Sequence, residues 1–192
     1  MQKNKLIELF KMHGGLLKSK DFCYQPPYYD ILNVMIENKE VVKLKNGLFR
    51  YEAIRNDNEP EDILKIYPDA VLCLFSAWHY HQLSTTVPYL HHLAFEHKSN
   101  PSKSTYLPVK FYYWSKEQYE SGVINYGKIR VYDIEKSVCD AVKFRNKVGE
   151  EITLEVIKTY MQSNKRNIDK LMAYSKKMRI EKIITPMLKA LV

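Results

Sequence analysis

Three carboxylates stand close together in the second half of the chain, where a strand-like segment gives way to a helical one: Asp133, Glu135 and Asp140. Carboxylates grouped in this way can bind a divalent cation, as they do in metal-dependent nucleases. They can equally stabilise the start of a helix, with Asp133 as the N-cap and Glu135 in the first turn. We interpret them as helix-capping residues and keep a nuclease or nucleotide-processing enzyme as an alternative function.

The histidines and cysteines form no recognisable metal or catalytic motif. The chain has 6 His and 3 Cys, with no HExxH and no CxxC sequence. His79 and His81 are two positions apart, so a helix would point them to different faces. The cysteines (Cys23, Cys73 and Cys139) are odd in number and widely spaced, which predicts buried, reduced thiols rather than disulfides or zinc ligands. We therefore expect no metal, no cofactor and no catalytic activity.

Cationic and amide side chains in the first fifty residues have the chemistry of DNA contacts. Asn33 can pair bidentately with adenine, and Gln25 carries the same amide group. Lysine and arginine contact phosphates, which supplies affinity and salt dependence rather than sequence choice. The candidate DNA-binding residues are Lys18, Ser19, Lys20, Gln25, Tyr28, Tyr29, Asn33, Lys43, Lys45 and Arg50.

Periodicity and turn residues indicate the elements that would present these side chains. Apolar residues at helical spacing predict helices over 2–13 and 27–38. A short extended segment at 16–18 and a brief helix beginning at Ser19 lie between them. Two β-rich runs flank Asn46-Gly47, which favours a hairpin, and the alternation in the first run predicts Lys43 and Lys45 on one face.

This order of elements within residues 1–51 is typical of a winged helix-turn-helix. Its second motif helix, here 27–38, would enter the major groove of double-stranded DNA.

The polar stretch 52–62 is interpreted as a linker. Beyond it, over 63–192, we predict strands at 90–97, 108–115 and 128–133. Helices are predicted at 63–67, 69–83, 135–147, 150–162, 167–178 and 180–191, with Pro186 either starting or kinking the last one. The expected fold class is α+β.

Charge is distributed unevenly along the chain, whose formal net charge is +8. By residue type, 1–55 carries +4, 56–142 carries −3 and 143–192 carries +7. A second basic surface is therefore expected from the C-terminal helices, suited to a DNA backbone or an acidic partner, although a merely solvated helical face has the same pattern. Its residues are Lys165, Arg166, Lys170, Lys176, Lys177, Arg179 and Lys182. No apolar run approaches the roughly 18 residues of a membrane span and no signal peptide is visible, which predicts a cytoplasmic protein without membrane contact.

Several segments, taken in order, resemble the AbiEi-type antitoxins of bacterial abortive-infection systems, which are type IV toxin–antitoxin systems. GGLLKSKD and VVKLKNGLFRYE are similar to the family's N-terminal segment, and FSAWHYHQLS resembles its S-x-L-S-A-L-x-x-H-G-L helix, with Gln82 in place of glycine. KIRVYDIEKSVCDAVKFRNKVG is similar to its strand and D-x-E/A-K/R-T-V-x-D helix. LMAYSKKMRIEKIITPMLKAL resembles its C-terminal ending, with Met187 replacing an aromatic residue and Lys189 an acidic one.

The resemblance implies a repressor that binds repeated sites in its own promoter through the winged helix. It also implies that the C-terminal domain counteracts a nucleotidyltransferase-like toxin without forming a stable complex with it, and that this domain can assist DNA binding. The departures at Gln82, Met187 and Lys189 bear on the antitoxic function rather than on DNA binding. A third hypothesis from the residues alone is a winged-helix regulator that senses a small ligand in its aromatic-rich second domain.

Overall fold

The computed structural model describes residues 2–22, 26–54, 59–104 and 106–191. Over these residues the fold is α+β, as predicted, with a three-stranded and a five-stranded sheet. The chain forms two compact units. The first comprises Met1–Ile66 and Asn100–Val109, and the second comprises Tyr67–Ser99 and Lys110–Val192.

The first unit places two helices against a small antiparallel sheet. Helix α1 (Gln2–Met12) leads to strand β1 (Leu16–Lys18) and a 3-10 turn at Ser19–Asp21, followed by helix α2 (Pro26–Glu37). Strands β2 (Val41–Lys45) and β3 (Leu48–Tyr51) form the hairpin, and the strand order is β1-β3-β2. The core is apolar: Leu6, Phe10, Leu17, Phe22, Leu32, Met35, Val41 and Phe49. This core fixes which faces of α1 and α2 point outward.

The segment after the hairpin is more regular than the predicted linker 52–62. It contains a 3-10 turn at Glu52–Ile54, and helix α3 (Glu59–Ile66) begins within it. Residues 55–58 lie outside the described part. The helix starts earlier than the predicted position 63 because Ile63, Leu64 and Ile66 supply an apolar face that is buried, while polar residues complete its first turn.

The second unit is built on a mixed sheet with the strand order β6-β5-β4-β8-β7. Its strands are β4 (Val71–Leu72), β5 (His91–Glu96), β6 (Val109–Trp114), β7 (Val123–Tyr126) and β8 (Ile129–Tyr132). Strands β4 and β8 are parallel, whereas β4–β5 and β7–β8 are antiparallel. Helices α4 (Leu74–Tyr80) and α5 (Lys116–Glu120) lie between strands. The sheet is followed by α6 (Ile134–Lys143), α7 (Arg145–Val148), α8 (Glu150–Gln162), α9 (Ile168–Lys177) and α10 (Glu181–Lys189).

Helix α6 is the central helix of the second unit. It begins where β8 ends, and it packs against α4, α8 and α9. Val138, Cys139, Ala141 and Val142 are buried completely in this packing. A helix surrounded on several sides must also bury polar positions, and these positions form the ionic cluster described below.

Several short elements of the second unit differ from the sequence prediction. The stretch 69–83, predicted as one helix, divides into β4 and α4, because a short apolar run that is buried throughout has no periodicity to distinguish strand from helix. Strand β7 and helix α5 occupy a stretch for which no element was predicted.

Pro186 neither starts nor ends a helix but lies inside α10. Within the described residues, no helix is both long and apolar enough to cross a membrane.

Candidate nucleic-acid interface

The outward face of α2 carries the candidate base-reading residues. Tyr29 is 41% exposed and Asn33 is exposed one helical turn later, so the two side chains share a face. Tyr28 instead packs partly against the apolar core. Asp30 and Glu37 are also exposed on this helix and would repel a phosphate backbone. The face is therefore suited to hydrogen bonding with base edges rather than to electrostatic attraction.

Two exposed lysines lie at the 3-10 turn that precedes α2. Lys18 comes directly before the turn and Lys20 lies inside it, and the turn is held by two backbone hydrogen bonds. The Lys18 backbone N–H donates to Asp21 Oδ2 at 2.8 Å. The Ser19 N–H donates to the Gly47 carbonyl at 2.9 Å, which joins this turn to the tip of the hairpin. The backbone thus holds two cations beside the hairpin turn. Gln25, the remaining candidate near this helix, lies outside the described residues.

The hairpin does not present two lysines on one face, so that prediction was wrong. The register with β3 shifts between Lys43 and Lys45, which interrupts the simple alternation of the strand. Lys43 is exposed, whereas Lys45 is half-buried and its Nζ donates to the Ile66 carbonyl at 2.8 Å. Of this pair, Lys43 is the lysine available to a phosphate.

Arg50 also departs from its predicted role as a surface cation. It is only 6% exposed, and its guanidinium lies 2.8 Å from Glu52 Oε1. The same guanidinium lies over the Tyr106 ring, with Cζ 5.1 Å from the ring centroid. These contacts hold Arg50 inside the first unit. Its charge is therefore used in contacts within that unit and is not presented at the surface.

The cations of the predicted second basic surface divide into paired and unpaired groups. Lys170 contacts Asp133 and Glu135, Lys176 contacts Glu181, and Lys177 contacts Glu117, at 3.1 to 3.7 Å. Arg166 donates to the Met161 carbonyl at 2.8 Å near the end of α8. The other three are exposed and have no ion-pair partner within the described ranges: Lys165, Arg179 and Lys182.

The carboxylate trio is buried and engaged in structural contacts. Asp133 caps α6, as predicted, by accepting from the Lys136 N–H at 2.8 Å, and Glu135 lies in the first turn. The Tyr174 hydroxyl donates to the other Asp133 oxygen at 2.8 Å, and the Tyr160 hydroxyl donates to Glu135 at 3.3 Å. Lys170 contributes its ammonium to both carboxylates. These bonds fasten α8 and α9 to the start of α6.

Asp140 belongs to a second, more deeply buried contact. Its two oxygens lie 2.7 and 2.8 Å from Lys136 Nζ, and both side chains are 2% exposed. The same ammonium lies over the rings of Trp114 and Tyr132, 4.3 and 4.6 Å from their centroids. Burial raises the pKa of the Asp140 carboxyl, and the neighbouring Lys136 opposes that rise. Removing either partner would leave a buried charge uncompensated. Sequence reasoning missed Lys136 because lysine is rarely buried.

The described histidines, cysteines and carboxylates form no arrangement suited to metal binding. Across the described ranges, no group of three or more His, Cys, Asp or Glu side chains could hold a metal ion. Cys73 and Cys139 are buried free thiols, and burial raises the pKa of Cys139 to about 12. Thiols of this kind are unreactive at neutral pH. Cys23 lies outside the described residues.

Comparison of the sequence with protein-family models and with curated proteins gives no match. The resemblance to the abortive-infection antitoxins therefore depends on the ordered motifs of the chain itself.

Proposed function

We propose that the first unit is a winged helix-turn-helix that binds double-stranded DNA. The observation that carries this proposal is the path of the chain: a helix, a strand, a short turn of helix, a second long helix and a hairpin, with the strand order β1-β3-β2. In this arrangement the second long helix is free to lie in the major groove and the hairpin forms the wing. Here those elements are α2 and the β2–β3 hairpin.

The exposed side chains fit a division of roles on DNA. Asn33 and Tyr29 on α2 would contact base edges, because an amide can pair with adenine in the major groove. Lys18, Lys20 and Lys43 would contact phosphates, where charge gives affinity without sequence choice. Asp30 and Glu37 then disfavour nonspecific attraction to α2, so that binding depends on the base contacts.

We further propose that the protein represses its own operon and acts as the antitoxin of an abortive-infection system in the cytoplasm. The ordered resemblance of five segments to the AbiEi-type antitoxins supports this part. Its DNA target would be repeated sites in its own promoter. Its counterpart would be a nucleotidyltransferase-like toxin that it opposes without a stable complex. The nuclease alternative is disfavoured, because Asp133, Glu135 and Asp140 are buried in structural contacts.

The deciding experiment is a salt-dependent titration of the full chain with the DNA just upstream of its own gene and with a scrambled duplex. We expect tighter binding to the upstream DNA, and a log–log salt plot with a negative slope of about 0.9 for each phosphate contact. Equal, weak binding to both duplexes would contradict a repressor and would favour protein contacts for this unit.

Three variants assign the contacts. Lys43→Ala should weaken binding to both duplexes and reduce the salt slope by about one. Lys158→Ala, which removes an exposed lysine from α8, is the matched control. Asn33→Ala should instead weaken binding to the specific duplex by about 1–3 kcal/mol for each lost base contact, with little effect on the scrambled one. Equal losses on both duplexes for Asn33→Ala would show that α2 does not read the sequence.

A further inference from the structure

A pocket of about 550 Å³ opens in the second unit between the end of α4, the end of β7 and the end of α8. A volume of this size lies within the range of small-molecule sites in proteins. Six of its lining residues carry the argument: Tyr80, His81, Gln82, Tyr126, Gln162 and Lys165. We call it the Tyr126 pocket. None of the contacts described for the carboxylate cluster or for the DNA-binding candidates of the first unit involves these side chains.

One wall of the Tyr126 pocket is aromatic. The rings of Tyr80 and Tyr126 lie 5.8 Å apart between centroids and are tilted by 35°. Tyr126 is 53% exposed even though it belongs to a strand. A pair of tyrosines with an open ring face provides a stacking platform for a flat aromatic ligand, and every nucleobase has such a face.

His81 has a fixed tautomer in this wall. Its Nε2 lies 2.6 Å from the Tyr132 carbonyl, which can only accept, so Nε2 carries the proton. Burial lowers the pKa of His81, and the neutral ring keeps Nδ1 as an acceptor. The next residue, Gln82, has a φ of 56°, a left-handed conformation that is uncommon for a residue other than glycine. Gln82 and Gln162 add two amides, each with a donor and an acceptor, which match the mixed edge of a nucleobase.

Lys165 supplies the positive charge of the pocket. It is exposed, it follows α8, and its ammonium forms no ion pair with any described residue. Its backbone N–H is held by Ser163 Oγ at 3.1 Å, which fixes the loop that carries it. No carboxylate lines the pocket among the described residues, whereas Glu8 lines a cavity of the first unit and Glu117 another cavity of the second. Lys165 therefore gives the pocket a cation for an anionic group, and an ammonium is a common phosphate contact.

We propose that the Tyr126 pocket binds a nucleoside phosphate. The base stacks on Tyr126, the amides of Gln82 and Gln162 and Nδ1 of His81 bind its polar edge, and Lys165 binds the phosphate. The residues of this site belong to the second unit, whereas those of the proposed DNA interface belong to the first, and ligand binding can be measured without DNA.

The test uses the full chain and isothermal titration calorimetry with the four ribonucleoside 5′-monophosphates, the four nucleosides and inorganic phosphate. We expect at least one monophosphate to bind, its nucleoside to bind about tenfold more weakly, and inorganic phosphate alone to give no competition. Failure of all four monophosphates to bind at about 1 mM, the affinity that corresponds to roughly 4 kcal/mol, would overturn the proposal.

Two matched pairs of variants localise the binding. Tyr126→Ala and Lys165→Met should each weaken monophosphate binding about tenfold or more, and Lys165→Met should also abolish the preference over the nucleoside. Tyr89→Ala and Lys158→Met, which remove an 87% exposed tyrosine and an exposed lysine outside the pocket, should bind like the unaltered chain. Equal binding by all four variants, or equal losses in all four, would place the ligand elsewhere. Lys165→Met alters only an exposed side chain, so it remains decisive if Tyr126→Ala does not fold.

Discussion

His92 is an imidazole enclosed by aromatic rings, and its environment predicts a pH dependence of folding. The ring lies between Phe75 and Tyr112, the Tyr112 hydroxyl and His92 Nδ1 are hydrogen-bonded at 2.9 Å, and the residue is 7% exposed. Burial, with smaller contributions from Lys110 and His91, lowers the pKa of His92 to about 4. Protonation would place a charge in this buried site among the rings.

The pKa of His92 in the folded state is below its value of about 6.5 in the unfolded chain. The stability contributed by neutral His92 is therefore complete above pH 6.5 and is lost as the pH falls toward 4. At pH 5 the loss would be about 2 kcal/mol relative to pH 7.5. His92→Asn keeps a hydrogen-bonding amide near the Nδ1 position and cannot titrate, so the unfolding free energy of the variant should fall less over this range. Urea unfolding at both pH values measures the difference. Identical pH dependence in the two proteins would show that His92 does not govern it.

The exposure of individual polar and charged side chains could be predicted only where it follows from the local sequence pattern. Asn33 and Lys43 are exposed as their positions on α2 and β2 indicate. Arg50 and Lys45 are not available to phosphates as predicted, because each contacts a residue that is distant in the sequence. Arg50 lies over the Tyr106 ring, and Lys45 donates to the Ile66 carbonyl. Lys136 is the strongest case, since nothing in its sequence neighbourhood predicts two aromatic rings around its ammonium.

At the scale of elements, the connection between α5 and β7 depends on a glycine. Gly122 has a φ of 77°, and its carbonyl accepts from the Asp133 N–H at 2.7 Å. A Cβ at this position would lie 2.8 Å from Lys136 Cβ, 3.0 Å from the Tyr174 hydroxyl and 3.1 Å from Asp133 Oδ2. The turn therefore passes directly over the start of α6, where the capping contacts of Asp133 are made.

Gly122→Ala should destabilise the second unit by more than the positive φ alone would, because the added methyl group must displace Lys136 or the contact between Asp133 and Tyr174. We expect a loss of about 2–4 kcal/mol, combining backbone strain with overpacking. Gly127→Ala is the matched control, since Gly127 has a φ of 59° and no atom within 4 Å of its Cβ position. Its loss should be about 1 kcal/mol. Equal losses in urea unfolding would mean that the start of α6 rearranges without cost.

Elements with a clear period or turn signal could be predicted, and short buried ones could not. The bounds predicted for α8, 150–162, are those observed, and the Asn46-Gly47 hairpin is present. Both have strong local signals: a polar N-terminus with helical spacing in one, and two residues that tolerate positive φ in the other. Strands β4 and β7 have two and four residues, and their conformation depends on pairing with β8 from opposite sides. Such pairing is tertiary information.

At the scale of the whole molecule, positive charge is concentrated away from the proposed recognition helix. The first unit has 12 Lys and Arg against 10 Asp and Glu, and the second has 18 against 12, so their net charges are +2 and +6. Counterion release depends on the number of cations that reach phosphates and not on net charge. Within the second unit, Arg179 and Lys182 are exposed and have no ion-pair partner among the described residues, so both cations are available to contact DNA.

If the second unit assists DNA binding, the double variant Arg179→Ala with Lys182→Ala should reduce the slope of the log–log salt plot by up to about two, at about 0.9 for each lost phosphate contact. Its preference for upstream over scrambled DNA should be unchanged, because phosphate contacts carry no sequence information. The control is Lys128→Ala with Lys158→Ala, which removes the same charge from exposed positions in β7–β8 and α8. A reduced slope in the first double variant alone would assign DNA contacts to the C-terminal helices. Equal reductions would mean that the DNA responds only to total charge, and an unchanged slope in both would confine the contacts to the first unit.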